Sequence, residues 1–185
     1  MTQTALILID MQNSFLHPDG ENFYPAAPEV IAPCLELLEA AVASGAIVVH
    51  VCDRHREGFA DFEQPRLPVH CVTGGFNAAF FEGFGPANRP NEIQITKRRY
   101  SAFFATDLAL FLFEQGIERV VIGGVKTNVC VRATATDAFG NGFEVNVVRE
   151  AVNSNRPHLS EASLEDVERY IGKVVDLDTA KSLLA

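Results

Sequence analysis

The sequence predicts an α/β protein of three layers, α/β/α, built on a central, mostly parallel six-stranded sheet. Three observations predict it. Short runs that are apolar on both faces recur along the chain, as parallel strands covered on both sides do. Stretches with apolar side chains at three- and four-residue spacing lie between them, several closed by glycine. Crossovers between parallel strands then place helices over both faces of the sheet.

The elements follow in order. Residues 5–9 form an apolar run ending at Asp10, and residues 46–51 form a second ending at Cys52-Asp53. Between them the spacing predicts a helix over 30–44, stopped by Gly45. A third strand, 93–96, ends just before Lys97. The second half repeats this grammar: a helix over 105–115 closes at Gly116, and a strand over 119–122 runs into Gly123-Gly124. A helix over 128–139 closes at Gly140, and a strand over 144–148 follows. A helix near 160–171 and a short strand near 173–175 end the pattern. Segments 13–28 and 55–91 are rich in Gly, Pro, Asn and Phe without sustained periodicity. Long irregular insertions in compact domains are often functional, so both are expected to wall a pocket. The whole chain, 1–185, is expected to form one domain.

Composition removes several function classes. With 24 acidic and 15 basic residues the formal charge is −9, which opposes binding to a nucleic-acid backbone. Lys97-Arg98-Arg99 is the one compact basic run. No apolar segment approaches the roughly 20 residues that cross a bilayer, and no basic leader precedes the first apolar run, so no membrane partner and a cytoplasmic location are expected. Cys34, Cys52, Cys71 and Cys130 show no CxxC spacing, which fits free thiols in a reducing compartment and opposes a zinc ribbon.

In open α/β sheets, ligands bind at the carboxyl ends of the strands. Asp10, Lys97 and Cys130 all fall there. A thiolate can attack a carbonyl carbon; a carboxylate can take the thiol proton, an ammonium can stabilise the sulfur anion, and a helix start near Thr127 or Asn128 would lower the thiol pKa further. Each residue also has an ordinary reading. Cys130 could be packing, Asp10 could cap a turn, and Lys97 could be solvated in its basic run. The segment from Gly123 to Val131 tips the balance: two glycines permit a tight turn, Thr127 or Asn128 can cap a helix, and backbone amides can then stabilise an oxyanion near Cys130. The segment lacks the GxxxxGK[ST] spacing of a phosphate loop.

Three blocks then carry a specific resemblance: Leu8-Ile-Asp-Met-Gln-Asn-Ser-Phe15; Lys97-Arg-Arg-Tyr-Ser-Ala-Phe103 with Thr106-Asp-Leu108; and Gly124-Val-Lys-Thr-Asn-Val-Cys-Val131 with Ala133-Thr-Ala-Thr-Asp-Ala138. In this order, over almost the entire chain, they resemble the isochorismatase-like cysteine hydrolases, which include nicotinamidases, N-carbamoylsarcosine amidases, biuret and ureidoacrylate hydrolases, and isochorismatases. The resemblance implies Asp10 as general base, Lys97 as its cationic partner and Cys130 as nucleophile. It also implies a non-proline cis peptide before Lys126, with the backbone amides of Lys126 and Cys130 forming the oxyanion hole; the Lys126 side chain need not take part. Homodimers or homotetramers are expected on the same ground.

The expected reaction is hydrolysis of a C–N bond in a small amide, ureide or N-carbamoyl compound through a thioester or thiocarbamate. Phe15, His55, Tyr100, Phe103 and Thr127 are expected to line the substrate pocket. Further phenylalanines, Phe59, Phe76, Phe80 and Phe81, are available as walls, and Arg54, Arg56 or Arg99 could meet a carboxylate, surface charge being the plainer reading. Asp53, His55, Asp61 and His70 raise the question of a metal: Asp53-Arg54-His55 resembles the start of the metal set of nicotinamidases, with Asp61 about where a further His would be expected. Against that stand capping or pocket-polar roles for Asp53 and a pocket or supporting role for His55, and no metal or cofactor is assigned. Pro68-Val-His-Cys71 with Thr73-Gly-Gly75 resembles a nicotinamidase insertion, yet Leu67 stands where many nicotinamidases carry Trp. Isochorismatase, nicotinamidase and a catalytically silent metabolite-binding protein remain alternatives, and the presence of all three reactive residues opposes the last.

Overall fold

The computed structural model describes residues 3–185. Its core is a six-stranded sheet of β1 (Thr4–Ile9), β2 (Ile47–Asp53), β3 (Glu92–Lys97), β4 (Arg119–Val125), β5 (Glu144–Asn153) and β6 (Lys173–Val175). The order is β3-β2-β1-β4-β5-β6 and every pairing is parallel. The helices are α1 (Asn13–Leu16), α2 (Ile31–Ser44), α3 (Leu108–Glu114), α4 (Arg132–Gly140), α5 (Pro157–Asp166) and α6 (Leu177–Leu184).

The strand period explains the three layers. Along β1, Ala5, Ile7 and Ile9 enter one hydrophobic cluster, which also holds Leu108 and Leu112 of α3 and Ala135 and Ala138 of α4. Leu6 and Leu8 enter another, with Leu37 and Leu38 of α2 and Ala180 and Leu184 of α6. Successive side chains point to opposite faces, so a strand buried on both sides must be apolar throughout. β1 is fully buried at every position, and its central place follows from that.

Several elements differ from the sequence expectation, for local reasons. The helix expected from 105 starts at Leu108, because Ala105 sits at φ +54 and the Thr106 hydroxyl donates to the Ala102 carbonyl at 2.6 Å, holding the preceding residues in turns. The helix expected from 128 opens as a π-helical turn, Thr127–Val131, before α4. α5 starts earlier, at Pro157, whose missing N–H is tolerated in a first turn. α6 was outside the sequence pattern, although Asp176 caps it by accepting the Thr179 N–H at 2.7 Å. β5 continues to Asn153, its pairing with β4 shifting register between Ile122 and Gly124. No helix among the described residues is long and apolar enough to cross a membrane.

The reversal of strand order lies between β1 and β4, where β1 leads outward to β2 and β4 leads the other way to β5. The carboxyl ends of these two strands flank the crevice that such folds use for ligands.

Candidate active site

Asp10 leaves β1 at φ +54, a left-handed conformation that aspartate tolerates better than most residues, and its N–H donates to the Val51 carbonyl at 3.0 Å. The neighbouring strand approaches closely here. At Gly124 (φ +117) a Cβ atom would lie 2.1 Å from the Ile9 carbonyl oxygen, so no side chain fits. Lys97 is the last residue of β3 and is buried despite its charge. Cys130 sits in the π-helical turn after β4, beyond a cis Val125–Lys126 peptide. In that turn the Val129 and Val131 N–H groups both donate to the Lys126 carbonyl, at 3.0 and 3.3 Å.

The fold brings the three sequence-predicted residues together. Lys97 Nζ stands 2.9 Å from Asp10 Oδ2 and 3.6 Å from Cys130 Sγ. Both Asp10 oxygens are buried without an aligned hydrogen-bond donor. Burial raises the Asp10 carboxyl to about 6, against the opposing Lys97 ammonium. Lys97 is held well above the usual lysine range, because attraction to Asp10 and Cys130 outweighs the cost of burying its charge. For Cys130 the direction differs from the sequence expectation. Burial, together with the Asp10 and Asp53 charges, pushes the thiol up, and Lys97 only partly opposes this. At neutral pH the ground state therefore pairs an ionised carboxylate with a protonated thiol, the arrangement needed for proton transfer as bond formation begins.

A second cluster adjoins the first. Asp53, His55 and His70 each offer a donor atom, all within 4.8 Å of one another. His70 Nδ1 donates to the Pro68 carbonyl at 2.8 Å, and its Nε2 faces Asp53 Oδ2 at 3.0 Å. His55 Nδ1 is 3.1 Å from Asp61 Oδ2, and its Nε2 lies 3.2 Å from Asp53 Oδ1 without hydrogen-bond alignment. Every ring nitrogen thus faces an oxygen acceptor. A neutral imidazole donates from only one ring nitrogen, so each ring would turn a lone pair on one of these oxygens, and added positive charge, either protons or a divalent cation, relieves that repulsion. Without a metal, Asp53 raises His55 against burial, and bonds to Asp53 and Pro68 overcome burial to bring His70 to about 9. The two Nε2 atoms and a carboxylate oxygen, with each Nδ1 anchored from behind, also fit a divalent metal and leave coordination positions open. The third donor is His70. Of the four candidates raised from sequence, Asp61 is not part of the group: it anchors the back of His55 and pairs with Arg99 at 2.7 Å.

A pocket of ≈ 90 Å³ opens between these clusters, lined among others by Phe15, Tyr100, Lys126, Cys130, Asp53 and His70. Of the residues expected to contact substrate, Phe15 and Tyr100 line this pocket. His55 lies behind Asp53, outside the lining. Phe103 is a correction: it packs into the hydrophobic core, 5.8 Å from the Phe143 ring centroid, because its turn faces α3 and α4. Thr127 is buried, its hydroxyl unpartnered, and it too is outside the lining. Of the other candidates, Phe59 is exposed, Phe76 stacks edge-on against His17 and Phe80 against His50. Arg54 lies over the Phe80 ring.

Sequence reasoning gave no role to Gln12. Its buried amide donates to the Asp53 and Ala78 carbonyls at 3.0 and 2.9 Å and accepts the Asp53 N–H at 2.8 Å, clamping Asp53 in place. An amide two residues after Asp10, at the end of an apolar strand, was the available signal.

A model of the isochorismatase domain matches residues 4–179. Maleamate amidohydrolase of Pseudomonas putida is 34% identical over 185 residues, covering 97% of this chain and 86% of its own. An isochorismatase-like hydrolase structure from Alkaliphilus metalliredigens matches with a TM-score of 0.89 at 31% identity, covering 100% of both chains. Pyrazinamidase of Pyrococcus horikoshii, solved in complex with zinc, matches with a TM-score of 0.86 at 35% identity, over 94% of this chain and 99% of the other.

Proposed function

Since the chain belongs to the isochorismatase domain family, we propose that it is a cysteine-dependent amidohydrolase acting on the C–N bond of a small amide or ureide. One arrangement carries this: the Lys97 ammonium stands between the Asp10 carboxylate at 2.9 Å and the Cys130 sulfur at 3.6 Å, at the wall of a small pocket.

Asp10 takes the Cys130 proton while the sulfur electron pair forms a bond to the substrate carbonyl carbon. The carbonyl oxygen gathers the displaced charge, and the Lys126 and Cys130 backbone amides are placed in this reading to receive it. That role is supported by the Lys126 N–H, which donates to no group among the described residues. As the C–N bond breaks, Asp10 returns its proton to the nitrogen, releasing ammonia or an amine and leaving a thioester, or a thiocarbamate from a ureide. A water molecule, deprotonated by Asp10, then attacks this carbonyl, and the expelled thiolate recovers the proton. Lys97 keeps Asp10 ionised before the transfer and steadies the sulfur charge during it. Where a divalent cation is bound, Asp53, His55 and His70 would hold it and it would supply Lewis-acid polarisation beside the pocket.

The test is ammonia release from maleamate and pyrazinamide, the amides for which two relatives are named, followed by intact mass of acid-quenched enzyme. Wild type should turn over a small amide and show an acyl adduct confined to Cys130. Cys130→Ala should show no adduct and no turnover; wild-type rates in that variant would rule the covalent route out.

A further inference from the structure

Lys126 was expected to matter only through its backbone, yet its side chain lines the same pocket as the Cys130 thiol. The ammonium sits 5.2 Å from the Tyr24 ring centroid and 5.9 Å from that of Phe15. Tyr24 is itself fixed, its hydroxyl donating to Asn153 Oδ1 at 2.7 Å. Aromatic faces attract a cation but do not neutralise it. Burial holds this amine below the ordinary lysine range, opposed only by the Cys130 sulfur when that is ionised, and no carboxylate among the described residues acts on it. The pocket does contain a carboxylate, Asp53, but His55 and His70 occupy it at 3.2 and 3.0 Å. A half-buried cation lacking an anion, aimed into a cavity next to a nucleophile, is costly unless a ligand supplies the anion.

We propose that the Lys126 ammonium receives a carboxylate of the substrate, so that the amides preferred here are amide acids whose carboxylate and reacting carbonyl are separated by a few atoms. This names the substrate class of the reaction proposed above and rests on that reading. The two ends of such a molecule match the two groups that the segment from Lys126 to Cys130 presents: a fixed positive charge and a sulfur. The small pocket limits the spacer between them. A neutral amide would leave the ammonium unpaired in the complex, which lowers affinity and raises no barrier to the chemistry itself.

The experiment uses the full-length protein and two alkylating probes that differ only in charge. Iodoacetate and iodoacetamide each place a CH2 carbon before the thiolate; the S–C bond forms and iodide leaves. Rates at Cys130 are read by peptide mass spectrometry, which separates it from the other three cysteines. The ratio of iodoacetate to iodoacetamide rates should exceed that of free N-acetylcysteine. It should fall about tenfold in Lys126→Met, the scale of a lost partly buried charge contact, and recover in Lys126→Arg. The ratio cancels any common change in thiol reactivity, which a purely structural or thiolate-stabilising lysine would produce. A ratio untouched by Lys126→Met overturns the proposal. If that variant does not fold, a wild-type ratio no higher than that of N-acetylcysteine overturns it equally. Failure of both reagents to modify Cys130 would remove the thiol mechanism, and this inference with it, whereas brisk alkylation without charge preference leaves the mechanism standing and removes only the carboxylate.

Discussion

Replacing Lys97 with methionine removes one charge from the centre of the site while keeping a chain of similar length. At 2.9 Å from Asp10 Oδ2, the ammonium attracts the carboxylate by about 6 kcal/mol at an effective dielectric constant of about 20. If a third of that attraction is realised as a shift, the carboxyl, already raised to about 6, rises by about 1.4 further pKa units. Most of the base would then be protonated at pH 7, and the thiolate would form with no cation beside it. The expected result is a fall in kcat of about 10³-fold or more, equivalent to roughly 4 kcal/mol in the barrier. Folding should suffer far less, because Asp10 escapes by taking a proton and because a buried ammonium no longer has to be dehydrated. Urea unfolding at pH 7 should show a loss of no more than about 2 kcal/mol. Steady-state ammonia release gives the first quantity. A variant within tenfold of wild-type kcat would refute the role given to Lys97, and a stability loss above about 4 kcal/mol would show that Asp10 stays charged instead.

Three further outcomes follow from the geometry of the two clusters. Because Asp10 must be ionised to accept the thiol proton, kcat/KM should decline tenfold per pH unit below about 6, and an acid limb near 4 would contradict the raised carboxyl. The same shift has a stability consequence: the folded state holds this proton more tightly than the unfolded chain, so the contribution is greatest below the ordinary aspartate value of 3.8 and is lost as pH rises through about 6. Asp61→Ala should weaken zinc binding about 10–100-fold in competition with a chromophoric chelator, since His55 Nδ1 loses the carboxylate that orients it; unchanged affinity would mean that His55 is not a ligand.

Much of the architecture was legible because secondary structure is written in local periods. The doubly apolar run of β1 read as a buried parallel strand, and the position of Asp10, Lys97 and Cys130 after three separate strands put them at one end of the sheet before any contact was known. Glycine stops such as Gly45, at φ +77 with its N–H returned to Ala41 and Val42, marked a helix end from residue type alone. α6 escaped because its apolar face is short and acquires meaning only by packing against α2.

What the tertiary structure alone decided concerns groups whose behaviour depends on distant neighbours. His70 comes from the irregular stretch 55–91, and nothing in its local sequence says that it returns to Asp53 while Asp61 goes to the back of His55. Phe103 and Phe15 are chemically alike, and long-range packing sends one to the core and the other to the pocket. The thiol of Cys130 was expected to be acidified by a helix start and an ammonium; burial and two carboxylates reverse that direction. A residue's type fixes what proton or charge it can carry, but the work of carrying it is set by the solvent excluded and the charges assembled around it, and those belong to the folded chain.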